Sequence, residues 1–372
     1  MNITRRRLNI YVISFALFPF LGILGVGGGI QQVLLILGTG ILALFVVYRK
    51  TMPEDKFAIL FLFYSIETFL VTSYHEGIST GLFFSIISYS FLFSLFLLDF
   101  DLLLNAIAVI GYIVTFVNFL SVILTTRADD SIYFIGGKNR LSIILIPLLM
   151  IILLNEIRQH GQIRLRAKLC WFIGIFSIAL AGSGTGIVVV AFAIFFAILF
   201  WKANPSKYII IGIILALYAL LILSSNTVLG SQVWINFTSG LGKRSDLTDR
   251  TLVWGSLLRM LQHNWLFGLG RGATNTFINN WGLMASVNEA HNAVLELFLD
   301  GGVVGFVLYA IAFTITVKKT DTSTKEGKVI FIAIVVIMIN GLTESVTNIF
   351  TTTLILAIAN YYSYSSEPHI IE

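Results

Sequence analysis

The chain is a succession of long apolar runs separated by short polar segments. A helix needs about 20 predominantly apolar residues to cross the hydrocarbon core of a bilayer, and these runs predict membrane-spanning helices. We expect twelve of them, at residues 8–28, 30–48, 57–74, 80–98, 102–124, 140–157, 168–182, 184–201, 207–228, 291–317, 328–344 and 346–363. The pattern therefore predicts an all-α integral membrane protein, with residues 1–372 as a single polytopic domain.

Composition supports this prediction. Hydrophobic residues make up 57% of the chain and charged residues 12%, and the mean hydropathy is +0.91. These values lie outside the range of soluble domains. The net charge of +5 is attributed to loops at the cytoplasmic face of the membrane, so we expect no nucleic-acid partner.

The basic residues also predict an orientation. If the N-terminus is cytoplasmic, sixteen Lys and Arg residues fall on the cytoplasmic side and eight on the outer side. Cytoplasmic loops of membrane proteins carry such an excess. We therefore expect both termini in the cytoplasm and residues 229–290 in an extracytoplasmic loop between the ninth and tenth helices.

That loop is predicted to contain a surface helix. Asp249 is suited to cap a helix whose first residue is Arg250, and apolar residues then recur at helical spacing. Arg250 and Trp254 would share one face, with Arg259 further along the helix. Arg250 would either bind an anionic substrate or extend to lipid phosphates.

A glycine-rich run follows the surface helix, from Gly268 to Gly272. No βαβ unit surrounds it, so a dinucleotide site is not expected. Its backbone amides, together with Arg271, are suited to hold a diphosphate. A simple turn is the alternative.

His291 is the sharpest candidate for chemistry. It falls near the N-terminus of the tenth predicted helix, where the positive end of the helix dipole disfavours an imidazolium ion. A neutral imidazole is suited to accept a proton. Asn292 lies beside it, and Glu296 lies one turn below Asn292. A structural histidine at the membrane interface is the alternative.

Several acids occur in or beside apolar runs, where charge is expensive and tends to be functional or paired. Asp300 precedes two glycines that are suited to kink a helix or admit a close neighbour. Glu67 and Glu344 would be catalytic groups or ion-pair partners of loop arginines. Asp99 is expected to cap the fifth helix. No metal-binding pattern is present, and we expect no cofactor.

Three motifs together resemble the O-antigen ligase and polymerase (Wzy_C-type) family of bacterial polysaccharide enzymes. The run Asp249–Trp254 is similar to an Arg-x-x-x-Trp helix of that family, and Asn264–Gly270 is similar to its glycine turn. Residues 291–305, with His-Asn-Ala-Val-Leu-Glu and then Asp-Gly-Gly-Val-Val-Gly, resemble its His-Asn-x-x-Leu-Glu signature. A family Ser-Arg motif is replaced here by Gly182–Gly186, so the diphosphate contact assigned to that arginine would be missing, or Arg140, Lys243 or another residue would supply it.

The resemblance implies glycosyl transfer on the outer face of the bacterial plasma membrane. The substrates would be a donor and an acceptor oligosaccharide on undecaprenyl diphosphate. His291 would be the general base, Arg250 a catalytic group and Arg271 a diphosphate ligand. Further substrate-binding residues would be Asn292, Glu296, Trp254 and Arg259.

Three functions remain open at this point. We favour a polymerase that joins repeat units for a capsule, an exopolysaccharide or an O-antigen. The alternatives are a ligase, which moves glycan to lipid A core or another acceptor, and a transporter of lipid-linked oligosaccharides. A transporter is expected to show repeat symmetry and charges at the membrane midplane, whereas this chain shows no clear symmetry and its polar residues gather in one outer loop. Whether a separate chain-length regulator is a partner is also open.

Overall fold

The computed structural model describes residues 3–21, 28–49, 55–125, 132–224, 246–273 and 289–364. Within these ranges the chain forms thirteen α-helices and one minimal antiparallel hairpin. The helices are α1 Ile3–Leu17, α2 Gly28–Arg49, α3 Lys56–Glu76, α4 Thr80–Leu98, α5 Phe100–Leu124, α6 Lys138–His160, α7 Leu165–Leu180, α8 Gly184–Lys202, α9 Lys207–Ser224, α10 Asp246–Leu261, α11 Ala293–Lys319, α12 Lys325–Gly341 and α13 Phe350–Tyr361. A 3₁₀ turn spans Phe18–Leu21, and strands β1 Ile132–Tyr133 and β2 Gly136–Gly137 form the hairpin.

The all-α architecture is confirmed for the described residues, and each predicted apolar run overlaps a helix. Six helices of the described chain are both long and apolar enough to cross a membrane, namely α3, α4, α5, α6, α8 and α11. The protein is therefore a multi-pass membrane protein. Twelve spans and cytoplasmic termini stay predictions.

Three predicted boundaries differ from the structure. The first helix ends at Leu17 and not at residue 28, because Pro19 cannot donate a helical hydrogen bond and disfavours helix in the residue before it. The surface helix α10 begins at Asp246, so Asp249 lies inside it and is not its cap. The last two apolar runs are separated by a non-helical segment at residues 342–349.

The cap predicted at Asp99 is confirmed. Its carboxylate accepts a hydrogen bond from the backbone N–H of Leu102 at 2.9 Å and so closes the first turn of α5. The neighbouring Asp101 forms an ion pair with Arg158 near the end of α6. Asp99 thus stabilises the start of α5, and Asp101 links α5 to α6.

Helix α6 is the centre of the bundle and is buried over most of its length. Its sequence is apolar on all sides, which is typical of a helix surrounded by other helices. It packs against α5 and α7 on one side and against α8 and α12 on another. The most extensive helix contact of the described chain is between α3 and α11, and this pair supports the candidate site.

Helix α11 is interrupted at Gly302, whose φ of 57° and ψ of −153° are not helical. The interruption removes hydrogen bonds of the ordinary helical pattern, in which an N–H donates four residues back. The backbone N–H groups of Val303 and Val304 donate instead to the carbonyls of Trp265 at 2.9 Å and Leu266 at 3.1 Å. The kink expected from the two glycines is therefore confirmed.

The carbonyl released at Leu299 also finds a partner in the same turn. It accepts a hydrogen bond from the N–H of Leu269 at 2.6 Å. This close approach requires Gly268, which has a φ of +71° and whose Cβ, if present, would lie 2.5 Å from the Leu299 oxygen. Residues 264–272, which we name the glycine turn, thus replace the hydrogen bonds that α11 loses.

We predict that Gly268→Ala destabilises the protein more than Gly272→Ala. Both glycines have positive φ, which costs an L-residue about 1–2 kcal/mol, but Gly272 has open space around its Cα and Gly268 faces backbone. The apparent melting temperature of purified protein in detergent measures the difference. Equal melting temperatures for the two variants would mean that the contact between Gly268 and the backbone of α11 is not tightly packed.

Candidate active site

His291 lies immediately before the first turn of α11 and faces Glu344 of the 342–349 segment. Its Nδ1 is 3.3 Å from a carboxylate oxygen of Glu344. The imidazole side chain is 30% exposed, whereas the Glu344 side chain is 4% exposed. A buried carboxylate thus orients a histidine that substrate can reach. Glu344, suggested above as a catalytic group or an ion-pair partner of a loop arginine, contacts His291 in the described part of the chain, and its pairing with a loop arginine stays a prediction.

The orientation of this pair leaves one ring nitrogen for substrate. When Nδ1–H donates to the carboxylate, the other nitrogen, Nε2, carries the lone pair that accepts a proton. The carboxylate also stabilises the imidazolium ion formed after proton transfer, as in hydrolase triads. The pair is therefore suited to general-base catalysis.

The backbone of His291 adopts a φ of 50°, which is uncommon for a residue other than glycine. Such conformations persist where the surrounding structure imposes them. On the C-terminal side, Asn292 caps α11 by accepting hydrogen bonds from the N–H groups of Val294 and Leu295, both at 3.1 Å. Its amide also donates to the carbonyl of Leu342 at 3.2 Å.

On the N-terminal side, both backbone groups of Ala290 are held. Glu296 accepts a hydrogen bond from the Ala290 N–H at 2.9 Å and another from the Ser345 hydroxyl at 3.0 Å. The indole N–H of Trp254 donates to the Ala290 carbonyl at 2.8 Å. Residues on three elements therefore fix the chain around His291.

The predicted substrate-binding residues differ in burial and in their contacts. Asn292, Glu296 and Trp254 are buried and bonded to the protein, which makes them supports of His291. Arg259 is exposed and bonds Ser256. Arg250 lies in α10, but its side chain falls outside the part of the chain that the structure describes. Contact of these residues with substrate stays a prediction.

Arg271 is held at the end of the glycine turn by α3 and by the 342–349 segment. Its backbone N–H donates to the Thr72 hydroxyl at 2.8 Å, and its guanidinium donates to the Asn348 side chain. The Asn348 amide in turn donates to Asp300 at 2.5 Å, and the Arg271 Nε lies 4.0 Å from the same carboxylate. Asp300 is therefore a paired acid, and the Arg271 side chain remains 31% exposed.

A further cation acts near His291. Although Glu289 is exposed, desolvation by the surrounding protein raises the pKa of its carboxyl, and the charges of His291 and Arg140 oppose that rise. Arg140 is thus close enough to affect the segment before α11. Arg140 and Lys243 both stay candidates for the charge of the missing motif arginine, and Lys243 lies outside the described residues.

Glu67 is the remaining acid singled out by the sequence. Both of its carboxylate oxygens are buried and have no hydrogen-bond partner among the residues that the structure describes. A Cβ at Gly301 or Gly305 would lie 2.4 or 2.8 Å from its Oε2. The two glycines therefore make room on α11 for this side chain of α3.

Sequence analysis did not identify Asn348, Ser345 or Thr72. Residues 343–348 read Thr-Glu-Ser-Val-Thr-Asn, and such a polar run between two apolar helices is the signal that was available. Thr72 gave no signal, since its role depends on the approach of the glycine turn from a distant part of the chain.

The family comparison agrees with this geometry. Residues 169–310 match the family model described as O-antigen ligase, Wzy_C. The chain carries an O-antigen ligase family domain. No individual curated protein matches the chain. The Wzy_C domain includes His291, the glycine turn and the interrupted part of α11, whereas Glu344, Asn348 and Thr72 lie outside it.

The protein is accordingly a membrane polysaccharide enzyme of the O-antigen ligase and polymerase type. Enzymes of this family use lipid-linked glycans in the membrane. Residues on both sides of the Wzy_C domain complete its candidate active site: α3 supplies Thr72, and the 342–349 segment supplies Glu344 and Asn348.

We predict that Asn292→Ala lowers the stability of the protein by about 1–2 kcal/mol, because it removes a helix cap and leaves the Leu342 carbonyl without its donor. Asn292→Ser keeps a capping oxygen, so we expect this variant to lose less stability than Asn292→Ala. Thermal unfolding of the two variants in the same detergent checks this order. A serine variant no more stable than the alanine variant would show that the cap contributes little.

Proposed function

We propose that this protein is a polymerase that joins undecaprenyl-diphosphate-linked repeat units on the outer face of the bacterial plasma membrane. The observation that carries the proposal is the contact between His291 and Glu344. This contact orients a base within a domain whose family acts on lipid-linked glycans, and the 342–349 segment that carries Glu344 also contacts Arg271 through Asn348.

In the proposed reaction, a sugar hydroxyl of the acceptor approaches Nε2 of His291. His291 takes the hydroxyl proton while the oxygen attacks the anomeric carbon of the donor from the face opposite the diphosphate. The new glycosidic bond forms as the bond between that carbon and the diphosphate oxygen breaks. The anomeric configuration is inverted, and lipid diphosphate leaves.

Arginines balance the charge that develops on the leaving diphosphate. Arg271 is the described candidate, because its position is fixed at the backbone by Thr72 and at the guanidinium by Asn348. Guanidinium groups bind phosphate oxygens with directed, charge-assisted hydrogen bonds. We assign Arg250 to the same task on the resemblance of its motif alone.

The direct test uses purified protein in nanodiscs with undecaprenyl-diphosphate-linked repeat units, followed by mass spectrometry. Products that grow by whole repeats, with release of lipid diphosphate, are expected. Transfer only after lipid A core or another acceptor is added would identify a ligase. Movement of lipid-linked substrate across the bilayer without either product would identify a transporter.

We predict that His291→Ala lowers the rate of polymer formation by about 10²-fold or more, the usual contribution of a general base, while the protein remains in the membrane. Polymer levels and protein levels are measured together in cells and with purified enzyme. Wild-type polymer at equal protein level would eliminate His291 as the base.

Glu344 is a positioning residue in this scheme. We predict that Glu344→Gln lowers the rate by about tenfold or more, because the imidazolium ion loses its carboxylate partner. Glu344→Asp keeps the charge and is expected to be the more active of the two. Equal rates for the glutamine variant and wild type, at matched melting temperature, would remove Glu344 from the mechanism.

A further inference from the structure

A small polar cavity of about 20 Å³ lies beside Arg271, between α3, α4 and the 342–349 segment. Tyr64 and Thr68 of α3 and Thr347 of the segment line it, and they are 3%, 3% and 6% exposed. Their hydroxyl groups and the Nε of Arg271 are buried and have no hydrogen-bond partner among the residues that the structure describes. Four buried polar groups without partners thus belong to residues that line one cavity.

Other hydroxyl groups of the same cavity are satisfied by their own helices. Serine and threonine hydroxyls in a helix can donate to the carbonyl one turn back. Ser65 and Ser85, which also line the cavity, donate in this way at 2.9 and 2.8 Å. Thr68 makes no such bond to the carbonyl of Tyr64. Because a buried hydroxyl without a partner costs free energy, we expect a bound molecule to supply the partner.

The size and the charges of the cavity favour a water molecule. A water needs a volume of about 10–15 Å³ or more and two to four polar partners. Asp300 disfavours an anion, because its carboxylate lies 4.0 Å from the Arg271 Nε, and the guanidinium charge disfavours a cation. One water can accept a hydrogen bond from Nε and another from one hydroxyl, and can donate to the other two hydroxyls.

We infer that one water bound in this cavity positions Arg271 for the diphosphate, and that the three hydroxyl groups hold the water. The inference rests on the proposed function, which assigns Arg271 to the diphosphate. A guanidinium group has five N–H donors in a rigid plane. The water engages Nε, and Asn348 accepts a hydrogen bond from Nη2. The remaining N–H groups are therefore fixed in direction before the diphosphate binds, which favours binding.

The test measures the binding of radiolabelled undecaprenyl diphosphate to purified protein in nanodiscs. Thr68→Val removes one hydroxyl at nearly constant volume, and Thr68→Ser keeps it. Thr352→Val is the matched control. Thr352 is 2% exposed, its hydroxyl also has no partner among the described residues, and it does not line the cavity.

Thr68→Val is expected to raise the Kd by about tenfold, the order expected when a hydrogen bond to a charged group is lost. Thr68→Ser and Thr352→Val are expected to keep a Kd close to that of wild type. In an Arg271→Gln background, Thr68→Val is expected to have no further effect, because the hydroxyl acts through Arg271. An unchanged Kd in Thr68→Val, or an equal rise in Thr352→Val or in the Arg271→Gln background, would overturn the inference.

A second variant tests whether one water is shared, and it decides the inference even if Arg271→Gln does not fold. Thr347→Val is also expected to raise the Kd. The double variant with Thr68→Val is expected to raise it by less than the product of the two single effects, because both hydroxyls act through the same water. Effects that multiply fully would mean that the hydroxyls act separately, against the inference.

Binding is measured without glycan transfer, so it separates this inference from the proposed function. If wild type transfers no glycan but the hydroxyl variants weaken binding as expected, the proposed function fails and the inference stands. If wild type transfers glycan and the hydroxyl variants bind as tightly as wild type, the inference alone fails. Absence of undecaprenyl diphosphate binding by wild type would also overturn the inference.

Discussion

The pairing of backbone groups inside the membrane is the constraint on which the active site depends. Hydrocarbon offers no water to satisfy a free N–H or carbonyl, so an interrupted helix needs partners from the protein. The glycine turn supplies these partners to α11 at Leu299, Val303 and Val304. The same hydrogen bonds place the turn, and with it Arg271, against α3. An interruption in one helix thereby positions a cation from the loop before it.

The outer end of α11 is organised by a second set of buried polar contacts. Asn292 bonds Val294 and Leu295 after His291, and Glu296 bonds Ala290 before it. Each also reaches the 342–349 segment. That segment lies outside the matched domain but carries Glu344 and Asn348, which contact His291 and Arg271. His291 and Arg271 are therefore held by one short stretch of chain, so that their spacing is fixed by the protein before substrate binds.

The sequence predicted features that depend on local pattern. His291 at the start of a helix, the kink after Asp300 and the cap at Asp99 all follow from the order of neighbouring residues. It did not predict the contact of Arg271 with Thr72, which joins residues 199 positions apart. The partner of a buried polar group depends on which helices pack together. Apolar helices have similar sequence patterns, so the sequence of one helix does not show which helices will pack against it.

The central claim is that His291 activates an acceptor hydroxyl for direct attack on the donor. One displacement at the anomeric carbon inverts its configuration, whereas two successive displacements through a glycosyl-enzyme intermediate retain it. The most direct measurement is therefore the anomeric configuration of the linkage made by the wild-type enzyme, compared by NMR with that of the donor. Inversion is the predicted result, and retention would contradict the assignment of His291 as the base in a single displacement.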